Sequence, residues 1–179
     1  MQRAKKPAVF LDRDGVLTEE RSYVTEQKDL HVFSYTKQCI QEIKNKGYYA
    51  IVITNQSAVA RGLLAEETLQ EMNEYLLGEI KVDAIYYCPH HPEGIIARYA
   101  RDCQCRKPEI GLLLKAAEEF DIDMMQSYMI GDRADDVLTG QKAGLKTILL
   151  ESGYGTVRLE KAVVPDWICK DLRDVIELL

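Results

Sequence analysis

The chain is predicted to be α/β, a three-layer sandwich with a mostly parallel central sheet and helices on both faces. Three observations predict it. Short apolar runs alternate along the chain with segments of helical period. The runs end in polar or acidic residues rather than in hairpin turns: Asp12 follows Val9-Phe10-Leu11, Thr54 follows Ala50–Ile53, and Gly131-Asp132 follow Tyr128–Ile130. The balance of 46% apolar and 29% charged residues over 179 positions suits one globular domain, expected to span 1–179.

Taken in order, residues 1–7 form a polar lead and 8–11 the first strand. Residues 17–33 have weak periodicity and read as a long loop, with His31 structural. Cys39, Ile40 and Ile43 mark a helix from Thr36 to Lys46 that Gly47 stops. Ala50–Ile53 is the second strand, and Leu69, Met72, Leu76 and Leu77 give a helix over 66–77. Ile80–Tyr87 reads as a third strand, with Asp83 as an alternative start and Tyr86 and Tyr87 as packing residues. A helix over 109–120 has Pro108 near its first turn. Strand 128–130, helix 135–143 with Gly144 as cap, and strand 147–150 complete the alternation. Residues 165–169 and a helix near 171–178 read as a docked tail in which Trp167 packs.

The formal net charge of -6 is a poor basis for nonspecific nucleic-acid binding, which rests on phosphate neutralisation. No signal-peptide core or membrane-length apolar run is present, so a cytoplasmic protein without a membrane partner is expected. An odd count of five cysteines without a secretion signal argues against a disulfide framework. The GxxxxGK[ST], GxGxxG and GxSxG patterns are absent.

In a parallel sheet the strand ends meet on one edge. That edge gathers Asp12 and Asp14, then Thr54-Asn55-Gln56-Ser57, then Lys107, then Asp132 and Asp136. Converging carboxylates suit Mg²⁺ as hard oxygen ligands, and Mg²⁺ commonly brings phosphate with it. Lys107 would neutralise phosphoryl charge, while Thr54 and nearby backbone N–H groups would donate to its oxygens. One aspartate of the first pair can attack phosphorus while the other, two residues on, handles the leaving-group proton and later activates water. Asp132 would hold Mg²⁺, and Asp136 would orient Lys107 or support the metal. Arg106 and Arg133 join Thr54, Asn55, Gln56, Ser57 and Lys107 as the substrate-binding set. The substrate is expected to be a small phosphorylated molecule.

A second metal is indicated over 88–105. Cys88, a histidine at 90 or 91, Cys103 and Cys105 offer three thiolates and one imidazole, the donor set of tetrahedral Zn²⁺. Four protein ligands leave no open position, so this zinc would be structural. Cys39 and Cys169 read as ordinary buried thiols.

FLDRDGV, TNQSAVARG, CPHHPEG, CQCRKP and MIGDRADD, read together, resemble the haloacid dehalogenase-like (HAD-like) phosphatases. Over residues 8–156 the closest likeness is to the heptose-bisphosphate phosphatase family, with the histidinol-phosphatase branch as neighbour. The resemblance implies a Rossmann-like HAD fold with no large cap domain, a zinc-loop insert and a monomeric state. It implies Asp12 as the nucleophile that becomes an aspartyl-phosphate and Asp14 as general acid/base. Mg²⁺ would be held by Asp12, the Asp14 backbone carbonyl and Asp132. Thr54, Asn55 and Lys107 would grip the transferring phosphate, and Arg106 would face the distal part of the substrate. Zinc would sit on Cys88, His90, Cys103 and Cys105. The implied activity is removal of the 7-phosphate from a heptose 1,7-bisphosphate in nucleotide-activated heptose and surface-polysaccharide synthesis. A phosphatase for histidinol phosphate or another small sugar phosphate is the alternative. Ala58 stands where the family commonly has glycine, Thr18 where the heptose enzymes usually have asparagine, and DLHVFSY lacks the familiar proline-glycine.

Overall fold

Strand β1, Ala8–Leu11, is apolar on both faces and wholly buried, as a strand must be when a parallel sheet is covered on both sides. The computed structural model describes residues 5–159 and 161–179 and places β1 at the centre of the sheet. On one side β1 pairs with β2 (Tyr49–Asn55), which pairs with β3 (Ala84–Cys88). On the other it pairs with β4 (Tyr128–Gly131), followed outward by β5 (Lys146–Leu150) and β6 (Trp167–Cys169). The order is β3-β2-β1-β4-β5-β6, and every pairing is parallel.

Alternation along β1 sends side chains into two cores. Val9 and Leu11 pack with α1 (Thr36–Asn45), α2 (Glu66–Ile80) and α5 (Leu172–Ile176). Ala8 and Phe10 pack with α3 (Gly111–Phe120). Helix α4 (Ala134–Lys142) lies close on the sheet at Gly140, where a Cβ would stand 2.6 Å from Thr147 Cγ2 and 2.8 Å from Met129 Cβ. Met72, Cys39 and Cys169 are buried, as expected of core residues.

Several boundaries differ from expectation, by two residues at the start of α3 and the end of α5 and more tellingly elsewhere. Helix α2 continues to Ile80, because Ile80 extends the stripe of Leu69, Met72 and Leu76. Lys81 then ends it with a left-handed φ of 61°, so β3 starts only at Ala84. Strand β2 runs through Thr54 and Asn55, placing both inside the ladder. Residues 167–169, read as part of a tail, form a sixth parallel strand beside β5. Trp167 is 38% exposed on that edge, its ring tilted by 40° against Tyr128 at a centroid distance of 6.3 Å. Among the described residues, no helix is long and apolar enough to cross a membrane.

Candidate active site

From β1 the chain runs to β2 on one side and, after β3, crosses to β4 on the other, so the carboxyl ends of β1, β2 and β4 flank a crevice. A cleft of about 330 Å³ opens there, lined by Asp12, Asp14, Thr54, Lys107, Asp136 and residues of the loop after β1. Asn55, Gln56, Ser57, Arg106 and Arg133 also border it.

Lys107 is the hub. Its ammonium lies 3.0 Å from Asp12 Oδ1 and 2.6 Å from Asp136 Oδ1, and it donates to the Ile53 carbonyl at 2.9 Å. Burial alone would lower its pKa, but the Asp12 and Asp136 carboxylates outweigh burial and raise it, so the ammonium stays charged. Asn55 fixes the Lys107 backbone from both ends: Oδ1 accepts its N–H at 3.0 Å and Nδ2 donates to its carbonyl at 3.1 Å. Asp136 also accepts the Arg133 N–H at 3.0 Å and so caps α4 at the same time. Gly131 makes room for this carboxylate, since a Cβ there would stand 2.1 Å from Asp136 Cβ.

Asp12 and Asp132 are strained electrostatically. Burial raises Asp12 to about 6, against the pull of Lys107. Burial, then the Asp12 and Asp136 charges, push Asp132 up to about 8. Asp132 Oδ2 accepts the Tyr154 N–H at 2.8 Å. Its Oδ1 is buried without a hydrogen bond, the Arg133 Nε lying 3.9 Å away. Glycines surround it: a Cβ on Gly153 or Gly15 would stand 2.0 or 2.3 Å from Asp132 Oδ2. A buried, glycine-cradled carboxylate oxygen without a donor calls for a cation. Oxygens of Asp12, Asp132 and Asp136 all lie within 4.8 Å of one another, a fit for a hard divalent ion.

The Asp14 carboxylate stands apart from that group. Oδ1 accepts from Arg13 Nε and Thr18 Oγ1, both at 3.1 Å. Oδ2 accepts from Arg13 Nη2 at 3.0 Å and Gln56 Nε2 at 2.9 Å. Burial would raise Asp14, but the Arg13 fork, Gln56 and Thr18 hold it below its ordinary range.

A separate, cysteine-rich centre lies beyond β3. Cys88, His90, Cys103 and Cys105 donor atoms cluster within 4.8 Å. Sulfur–sulfur distances run from 3.0 to 3.4 Å, and His90 Nδ1 is 3.4 Å from Cys105 Sγ and 3.6 Å from Cys88 Sγ. His91 faces away, toward Arg61 at 3.3 Å and the Glu93 N–H at 3.1 Å. The Cys88 contact pulls Cys105 down to about 5 and pushes Cys88 up, so one negative charge is shared within the thiol cluster. Arg106 donates to the His90 carbonyl at 3.2 Å, which ties the cleft wall to this centre.

The HAD-hydrolase-like family matches residues 104–175. The D-glycero-beta-D-manno-heptose-1,7-bisphosphate 7-phosphatase of Yersinia pestis is 36% identical over 174 residues, 94% of this chain and 93% of that protein. The enzyme of the same name from Escherichia coli (strain K12) is 37% identical, covering 94% and 91%. The chain belongs to this phosphatase family, within the HAD-like hydrolases. A solved D,D-heptose 1,7-bisphosphate phosphatase from B. bronchiseptica, complexed with magnesium and phosphate, superposes with a TM-score of 0.84. It is 28% identical, and the match covers 96% of this chain and 97% of that one.

The residues expected at the strand ends converge on this cleft, and the structure adds others to them. Arg13, between the two aspartates, has a fully buried side chain. Glu20, in the loop after β1, takes Arg133 Nη2 at 3.0 Å and Tyr154 Oη at 3.4 Å, while the Arg133 guanidinium covers the Tyr154 ring. Arg133, expected to bind substrate directly, is thus engaged at the rim by Glu20. The signal for Glu20 was only its place in a loop beside the site.

Proposed function

We propose that this chain is a Mg²⁺-dependent phosphatase that removes the 7-phosphate of D-glycero-D-manno-heptose 1,7-bisphosphate. The observation that carries the reading is the buried Asp12–Lys107–Asp136 chain beside the unsatisfied Asp132 oxygen. The family membership supports the choice of substrate.

Asp12 Oδ attacks phosphorus, forming the aspartyl-phosphate while the bond to the sugar oxygen breaks. Asp14, ionised in the free enzyme, takes up a solvent proton as substrate binds, giving up its contact with Thr18 or Gln56, and passes that proton to the leaving oxygen, so an alcohol leaves rather than an alkoxide. Water then attacks the phosphoryl group, gives a proton to Asp14, and the bond to Asp12 breaks to release phosphate. Lys107 offsets charge on the phosphoryl oxygens, Thr54 and Gln56 line the cleft beside it, and Asn55 acts by holding Lys107. Mg²⁺, held by Asp12, Asp132 and the Asp14 backbone carbonyl, would neutralise charge shared by nucleophile and phosphate. Zn²⁺ on Cys88, His90, Cys103 and Cys105 would hold the loop that carries Arg106 and Lys107. Arg106 would meet the distal phosphate.

The test follows the phosphorus resonances of heptose 1,7-bisphosphate with Mg²⁺ present. Loss of the 7-phosphate signal with the 1-phosphate retained is expected, and Asp12→Asn should leave both. Loss of the 1-phosphate first would refute the assignment.

A further inference from the structure

Helix α2 buries Leu69, Met72, Leu76 and Ile80, and one polar residue, Asn73, lies on the same buried face. Asn73 Oδ1 accepts from Arg13 Nη1 at 3.3 Å, and its Nδ2 has no hydrogen bond. A buried amide with an idle donor is costly, and an apolar residue would suit this face better. The contact that sets this residue apart from its neighbours is therefore the one to Arg13. Arg13, with no exposed surface, has its other nitrogens on both oxygens of Asp14. A two-pronged contact from one rigid planar group fixes the plane of a carboxylate, and Thr18 on Oδ1 and Gln56 on Oδ2 add one donor each from separate, independently rotating side chains.

We infer that Asn73 and Arg13 are positioning residues: Asn73 braces the guanidinium, and the guanidinium sets the plane of the Asp14 carboxylate that serves the leaving oxygen. This rests on the reading of Asp14 as general acid. Neither residue lines the cleft. Their effect should therefore appear in proton delivery rather than in substrate binding.

The experiment compares kcat/KM on heptose 1,7-bisphosphate, whose leaving alcohol needs a proton, with 4-nitrophenyl phosphate, whose phenolate leaves without one. This ratio reports the steps up to departure of the leaving group. Asn73→Ala is expected to lower the sugar-phosphate value about tenfold and the aryl value less than about twofold. Asn73→Asp keeps the acceptor and should recover most of the loss. Arg13→Lys keeps the charge without the fork and should show the same split, which covers the case of an unfolded Asn73→Ala. Equal losses on both substrates, or none in a folded variant, would overturn the inference. Asp14→Asn separates the two levels. If it splits the substrates and neither Asn73→Ala nor Arg13→Lys does, only the brace is wrong. If Asp14→Asn affects both equally, the general-acid reading fails and the brace with it.

Discussion

Lys107 stands between Asp12 and Asp136 with its side chain 2% exposed, so its charge cannot be replaced by water. Lys107→Met should cost about 3–5 kcal/mol of stability, because it leaves buried carboxylates unpaired. Denaturant unfolding checks this, and activity should be lost in the variant that remains folded. Asp12, Asp14, Asp132 and Asp136 were legible in the sequence because carboxylates just beyond apolar runs have no packing reason to be there. Lys107 was legible for its place after the cysteine loop. Arg13 and Asn73 were not, because their contact spans sixty positions and appears only when α2 folds over β1. Asn55 was found for a direct grip on phosphate, and only the packed loop shows its amide holding Lys107.

At the scale of elements, the loop from Cys88 to Cys105 has little apolar interior of its own: Ile95 is 77% exposed and Ile96 is 36% exposed. It is anchored by the cysteine–histidine cluster, by the Ile95 and Ile96 N–H groups donating to the Ala60 carbonyl, and by Glu66, which accepts from Tyr87 of β3 at 3.0 Å and also from Tyr99 of the loop. Tyr86 and Tyr87, expected only to pack, thus also carry polar contacts, Tyr86 to Glu119. Removing the proposed zinc with a chelator, or Cys103→Ser, should raise hydrogen exchange over 88–107 while the β1–β2–β4 amides stay protected. Mass-resolved exchange would check it, and uniform loss of protection would show that the metal supports the whole sheet instead. The alternation of strands and helices was readable because each core strand is apolar and bounded by polar turns. Strand β6 was not, since three residues are too short to show a period and the strand exists by pairing with β5.

For the molecule as a whole, the buried acids couple stability to pH and metal. Asp132 is pushed up to about 8 and Asp12 to about 6, from an ordinary 3.8. The folded chain therefore keeps protons that the unfolded chain has released, and stability without metal should fall as pH rises from about 4 to about 8. Asp14 is shifted the other way, so its stabilisation is already complete in this window and does not reverse the slope. Mg²⁺ pairs with the ionised acids, so the rise in Tm on adding it should be larger at pH 8 than at pH 5. Thermal melts at both pH values check this, and an equal or smaller rise at pH 8 would contradict it.

The central claim is the chemistry of this site on a heptose bisphosphate. Phosphate release with Mg²⁺, comparing heptose 1,7-bisphosphate with histidinol phosphate at equal concentration, tests it most directly. The account predicts kcat/KM on the order of 10² higher for the bisphosphate and no release by Asp12→Asn. A preference for histidinol phosphate, or phosphate release that survives in Asp12→Asn, would contradict it.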